Sequence, residues 1–161
     1  MSRAYLVDEQ GKLDLSEVRQ LLFTPLPGIL ARGYTPTVTW MRIVVQNGAP
    51  GEPLVLRIRP GYLDEVRLYW QDSQGRWQQQ VDGDRARSYP GITPSFLVRQ
   101  EQPQTVYYLR LNTTSTSMLS VEAQPLHQAL QTDVRQASWQ IVYYAILLWL
   151  LVWAIADYRE S

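Results

Sequence analysis

Trp40-Met-Arg-Ile-Val-Val45 decides the fold: Met41, Ile43 and Val45 fall on one side of an extended chain and Trp40, Arg42 and Val44 on the other. A period of two with a fully apolar side predicts a strand lying on a core. The same signature recurs downstream. Leu54 to Arg59 sets Leu54, Leu56 and Ile58 against Arg57 and Arg59, with Asn47-Gly48 and Pro50-Gly51 supplying the turn before it and Pro60-Gly61 ending it. Glu65 to Trp70 sets Val66, Leu68 and Trp70 against Arg67 and Tyr69. Asp72-Ser-Gln-Gly75 then has the residues of a tight turn, so Trp77-Gln-Gln-Gln-Val81 is expected to return as a hairpin. After a loop from Asp82 to Gly91, further strands are expected at Ser95–Val98, Thr105–Leu111 and Met118–Ala123. Seven or eight strands at regular spacing predict a mainly β domain, an antiparallel jelly roll or β-sandwich.

Upstream, Ala4-Tyr-Leu-Val7 reads as a strand turned at Asp8-Glu-Gln-Gly11, with Leu13-Asp-Leu15 pairing back onto it. Ser16 is placed to cap a helix over Glu17–Leu22, with Val18, Leu21 and Leu22 on one face. Pro25 and Pro27 end it, and Thr24 to Pro36 has no period and reads as a loop.

The other end of the chain changes solvent. Leu126, Leu130, Val134 and Ala137 have helical spacing, and Trp139 to Ala156 is almost unbroken apolar sequence with no charge. The twenty residues from Ala137 to Ala156 would rise roughly 30 Å, the thickness of a bilayer's hydrocarbon core. Apolar side chains surround this helix rather than lining one stripe, which favours a membrane span over a buried hairpin helix. The expected organisation is a sandwich over 1–124, a membrane-proximal helix over 125–138, a transmembrane helix over 139–157 and a tail over 158–161. Arg135 with Asp133 before the span and Arg159 with Asp157 and Glu160 after it leave its orientation undecided by charge.

Composition excludes several partners. Fifteen basic and fifteen acidic residues give a formal net charge of zero, so nucleic acid is not expected and no polybasic segment addresses anionic lipid. The lipid bilayer is the partner surface that the C-terminal helix implies. There is no cysteine, which excludes disulfides and thiolate metal sites. The one histidine, His127, sits in the membrane-proximal helix, and no Gly-x-Ser-x-Gly turn occurs; no enzyme, cofactor or metal is expected. Asp82-Gly-Asp84 lacks the further ligands of a calcium loop and reads as a turn.

Flat aromatic faces with arginine and amide groups recognise sugars, and the outward alternation offers Trp40, Arg42, Tyr69, Tyr108 and Arg110 for that use. The competing reading, that Trp40 and Tyr108 are simply core of the second sheet, has the greater weight, because periodicity leaves the two faces of a sandwich strand equivalent.

The order of elements is also similar to a known family. Ala4-Tyr-Leu-Val-Asp8, Gly11-Lys-Leu13, the short helix with Leu22, Pro27-Gly28, Gly33-Tyr34 and Thr39-Trp-Met-Arg-Ile43 resemble the type-2 extracellular sensor module of bacterial seven-transmembrane receptors with diverse intracellular signalling modules. So do Asn47, Pro60 to Leu63, Asp64-Glu-Val-Arg-Leu-Tyr69 and Val106-Tyr-Tyr-Leu-Arg-Leu111, and the resemblance runs from Tyr5 to the start of the membrane helix. It implies a periplasmic jelly roll similar to carbohydrate-binding modules, tethered to the inner membrane and reporting a ligand to a histidine kinase or a cyclic-di-GMP enzyme. Such modules usually follow a signal peptide and precede seven spans or another membrane region with an output. Met1 to Asp8 has no apolar h-region and the chain stops five residues after one span, so a receptor truncated before its signalling output is expected. A stand-alone binder acting on a full-length relative, or a non-catalytic interaction or homodimerisation sandwich at the membrane, is the alternative.

Overall fold

A computed structural model describes residues 1–31, 37–46, 51, 53–60, 63–83, 95–112 and 118–160. The strand that opened the sequence analysis is β4 (Val38–Gln46); its burial alternates from Met41 onward, while Val38 and Trp40 are buried on the opposite face. It lies between β1 (Ser2–Asp8) and β9 (Gln104–Asn112), all antiparallel, with Leu6 opposite Trp40 and Trp40 opposite Arg110. β9 continues to β6 (Glu65–Gln71) and β7 (Trp77–Asp82), while β2 (Thr24–Pro25) borders β1, giving the order β2-β1-β4-β9-β6-β7. A second sheet runs β3 (Leu30–Ala31), β10 (Met118–Pro125), β5 (Pro53–Arg59) and β8 (Ser95–Arg99). Between the sheets Met41, Ile43, Val45, Leu68 and Leu109 meet Leu56, Ile58, Phe96, Val98 and Val121 in one apolar core. The domain is thus an antiparallel β-sandwich.

The β6–β7 hairpin forms as its turn residues predict. The Asp72 carboxylate accepts from the backbone N–H groups of Gln74 and Arg76, both at 2.9 Å, and Gly75 takes φ +77°. Those hydrogen bonds, that from Arg76 foremost, hold the Asp72 carboxyl below its ordinary range. At the far end of the hairpin the buried Asp82 carboxylate accepts from the N–H of Gly83 at 2.7 Å and of Ser95 at 2.9 Å, tying the end of β7 to the start of β8. Asp82 therefore sits in backbone contacts, as a turn aspartate should; Asp84, like the turn expected at 47–50, lies outside the described residues.

The opening segment folds differently from its sequence reading. Leu13-Asp-Leu15 does not pair with β1, whose partners are β2 and β4. The reason is the Asp8 side chain, which accepts from Gly11 N and from Leu13 N, both at 2.8 Å, and so occupies an N–H that a returning strand would need. The helix begins earlier than Ser16 would set it and is shorter. In α1 (Leu15–Val18) Asp14 is the cap: it accepts from Glu17 N at 2.9 Å while the Glu17 carboxylate accepts from Asp14 N at 2.9 Å. Only Val18 is fully buried, whereas Leu21 and Leu22 are exposed, because the helix ends at Val18 and no longer holds them on the face that Leu15 and Val18 share. The stretch read as a loop contributes β2 and β3, two residues each; 32–36 lie outside the described residues.

After the sandwich, α2 runs unbroken over Leu126–Glu160. The chain divides into compact units Met1–Leu126 and His127–Ser161. Leu126–Ile155 is long and apolar enough to cross a membrane, and Trp139, Leu148, Trp149 and Trp153 are all exposed. The hydroxyls of Thr132 and Ser138 donate to the carbonyls of Gln128 and Val134, at 3.0 and 2.8 Å, so both are satisfied within the helix itself.

One core residue gives the domain a pH limit. Tyr107 on β9 is fully buried, and burial pushes its phenol from 10.0 up to about 12. The neutral phenol is the form the fold accepts, so the contribution is complete below pH 10.0 and is lost as pH rises through about 12. Relative to Tyr107→Phe, the wild type should lose about 2 to 3 kcal/mol of stability across that window. Denaturant unfolding at pH 9 and pH 12 followed by circular dichroism checks this; equal losses in both proteins would refute it.

Candidate functional site

The outer face of the six-stranded sheet carries a second apolar cluster, built from residues that alternate out of the main core. Val38, Trp40 and Tyr108 are buried there under Val18 of α1, with Leu6, Leu13, Leu15, Phe23, Tyr69 and Val106 packed around them. The N-terminal segment thus forms a third layer over this face. It folds there because Leu13, Leu15 and Val18 would otherwise stay in water, and because the Asp8 and Asp14 carboxylates fix the turns at both ends of Leu13.

All five residues singled out from the sequence lie on this face. Register places Trp40 opposite Arg110, Arg42 opposite Tyr108 and Tyr69 opposite Tyr108, so they form one contiguous group on β4, β9 and β6. Their accessibility differs sharply. Trp40 is 1% exposed and stacks on Tyr69 with centroids 5.8 Å apart. Arg110 donates to Gly11 O at 3.4 Å and lies 3.8 Å from the Glu65 carboxylate. Arg42 is exposed and lies 5.7 Å over the Phe23 ring. Tyr108 is nearly buried between Phe23 and Trp77, at 6.1 and 6.2 Å.

The face opens at the end toward the β6–β7 turn. There a cavity of about 220 Å³ is lined by Arg19, Gln71, Trp77, Gln102, Gln104, Thr105, Val106 and Tyr108. Trp77 and Tyr108 present rings tilted by 60° to one another, and the exposed Arg19 guanidinium lies 4.7 Å over the Trp77 ring. Gln71 donates to Gly75 O at 3.1 Å, which fixes its amide at the rim. A neighbouring cavity of about 190 Å³ shares Gln71, Gln102 and Thr105 and holds Asp72 and Glu101. Asp72 is already engaged there with Arg76 at 3.0 Å.

Of the five, therefore, Tyr108 lines the open cavity, while Arg19, Trp77 and the three glutamines were not singled out. Trp77 was within reach, since the hairpin pairs it with Gln71 on the same face as Tyr69. Arg19 was not, because nothing local says that a one-turn helix folds back over a sheet distant in sequence.

Rings, amides and one cation around a ring-sized hollow suit noncovalent capture of a small polar molecule. A family model described as 7TMR-DISM extracellular 2 matches residues 2–124, nearly the whole of the sandwich. No curated protein matches the chain.

Proposed function

Because this chain belongs to the 7TMR-DISM extracellular 2 family, the sensor domain of a membrane receptor anchored with that domain outside, we propose that its sandwich is a non-catalytic periplasmic module that senses a carbohydrate. The bilayer partner is the inner membrane, crossed once by α2. The cavity beside Tyr108 carries this reading: it joins two aromatic faces to glutamine amides, the pairing that matches the apolar C–H faces and the hydroxyls of a sugar. Arg42, Tyr69, Tyr108, the buried Trp40 and the half-buried Arg110 form the floor and flank of the same face, so these five residues act mainly by shaping and stiffening it. Occupancy is reported to a signalling module, in one polypeptide with the domain or in a full-length relative.

The test is a titration of the full chain in detergent micelles with neutral and acidic mono- and oligosaccharides, followed by tryptophan fluorescence. A saturable change is expected, abolished in Trp77→Ala with the cooperative thermal unfolding of the domain retained, because Trp77 is partly exposed and lies outside the main core. No response to any sugar, with self-association at all concentrations, would replace this reading by the interaction or dimerisation module.

A further inference from the structure

The cavity beside Tyr108 has a charge that neutral sugars leave unanswered. None of its eight lining residues is acidic, and its single formal charge is that of Arg19. Among the described residues Arg19 makes no ion pair and no side-chain hydrogen bond; its guanidinium packs on the Trp77 ring, at 4.7 Å. A guanidinium stacked on an indole is held in place by the ring face while the N–H groups along its edge stay available, the arrangement in which arginine receives a carboxylate with two parallel hydrogen bonds. The acidic side chains nearby are committed or lie elsewhere. Glu17, two residues before Arg19, accepts from Asp14 N in the capping box. Asp72 and Glu101 line the neighbouring cavity instead.

Size narrows the class further. At about 220 Å³ the hollow is smaller than the roughly 300 to 1,000 Å³ of sites for drug-sized ligands, so it suits one ring rather than an extended chain. On the reading that this face senses a carbohydrate, we propose that the cavity takes a single uronate ring: its carboxylate on Arg19, its hydroxyls on the amides of Gln71 and Gln104, and its C–H face against Trp77 and Tyr108. A free uronate and the terminal ring of an acidic polysaccharide share this chemistry.

Calorimetric titration of the full chain in micelles with D-galacturonate, D-glucuronate and neutral D-galactose tests it. Uronate should bind at least about tenfold tighter than galactose, the difference between a charge-assisted and a neutral hydrogen bond. Arg19→Gln should bring the two to equal affinity, and because Arg19 is exposed this variant should keep the wild-type melting temperature. A trimer of galacturonate binding tighter than the monomer would identify the source as a polymer end, and equal binding as the free sugar. Galactose binding as tightly as galacturonate, or a preference that survives Arg19→Gln, overturns the uronate class while leaving the sugar reading in place. Absence of any heat with all three sugars and of any fluorescence response overturns both.

Discussion

Gly83→Ala should destabilise the domain by about 3 to 5 kcal/mol, through a backbone collision and backbone strain acting together. Gly83 has φ +145°, a conformation that side chains resist. A Cβ there would stand 2.6 Å from the Asp64 carbonyl oxygen and 3.1 Å from that of Leu63. Neither oxygen belongs to a flexible side chain that could swing away. The neighbouring Asp82 carboxylate also holds Gly83 N and Ser95 N, so a shift of Gly83 would disturb the tie between β7 and β8 as well. For a domain of this size the loss is a large share of the whole stability. Thermal melts of the full chain in micelles, followed by circular dichroism in the β-sheet band, measure it; a drop of only a degree or two would show that the backbone gives way.

Trp40→Ala has the next largest expected effect, about 3 to 5 kcal/mol, because it opens a void the size of an indole beneath α1. Trp40 is 1% exposed among Val18, Val38, Tyr69 and Tyr108. Among the described residues its buried indole nitrogen has no hydrogen-bond partner, so Trp40→Phe removes an unsatisfied donor along with the volume and should cost much less. The two variants separate packing from recognition. Denaturant midpoints should fall in the order wild type, Trp40→Phe, Trp40→Ala. A sugar affinity that fell in Trp40→Phe without loss of stability would mean that the indole itself meets the ligand.

The strands were legible because their apolar residues follow a period of two. The burial of β6 and of the first half of β10 shows it, in β4 and β9 the outward Trp40 and Tyr108 are buried as well, and β5 is buried throughout from Leu54 to Ile58, so that Arg57, placed outward by its alternation, is buried too; the Asp72 to Gly75 turn fixed one hairpin through local chemistry alone. The shared face of Trp40, Arg42, Tyr69, Tyr108 and Arg110 followed from the same alternation, and the family from the order of the elements. What covers that face was not legible. Whether an outward strand residue meets water or another layer depends on where Leu13, Leu15 and Val18 come to rest, and that depends on backbone N–H groups donating to the Asp8 and Asp14 carboxylates in competition with strand pairing. The same competition removed the expected opening hairpin. Two-residue strands such as β2 and β3 are too short to have a period at all.

The strand orders also say when the domain can exist. Without β9, the larger sheet is two separate pieces, β2-β1-β4 and β6-β7; without β10, the smaller one is a lone β3 beside β5-β8. The last two strands of the sandwich are therefore the ones that join its parts. A chain delivered N-terminus first has to hold β1 to β8 as exposed, half-paired fragments until residues 104–125 arrive, and the closing contacts link positions as far apart as Leu30 and Leu119. Closure over such separations is slow and favours all-or-none folding. The strand that completes the second sheet ends at Pro125, one residue before α2 begins. Maturation of this domain is thus timed by the arrival of the segment next to its membrane helix, and chains released before that point are left as aggregation-prone strand fragments.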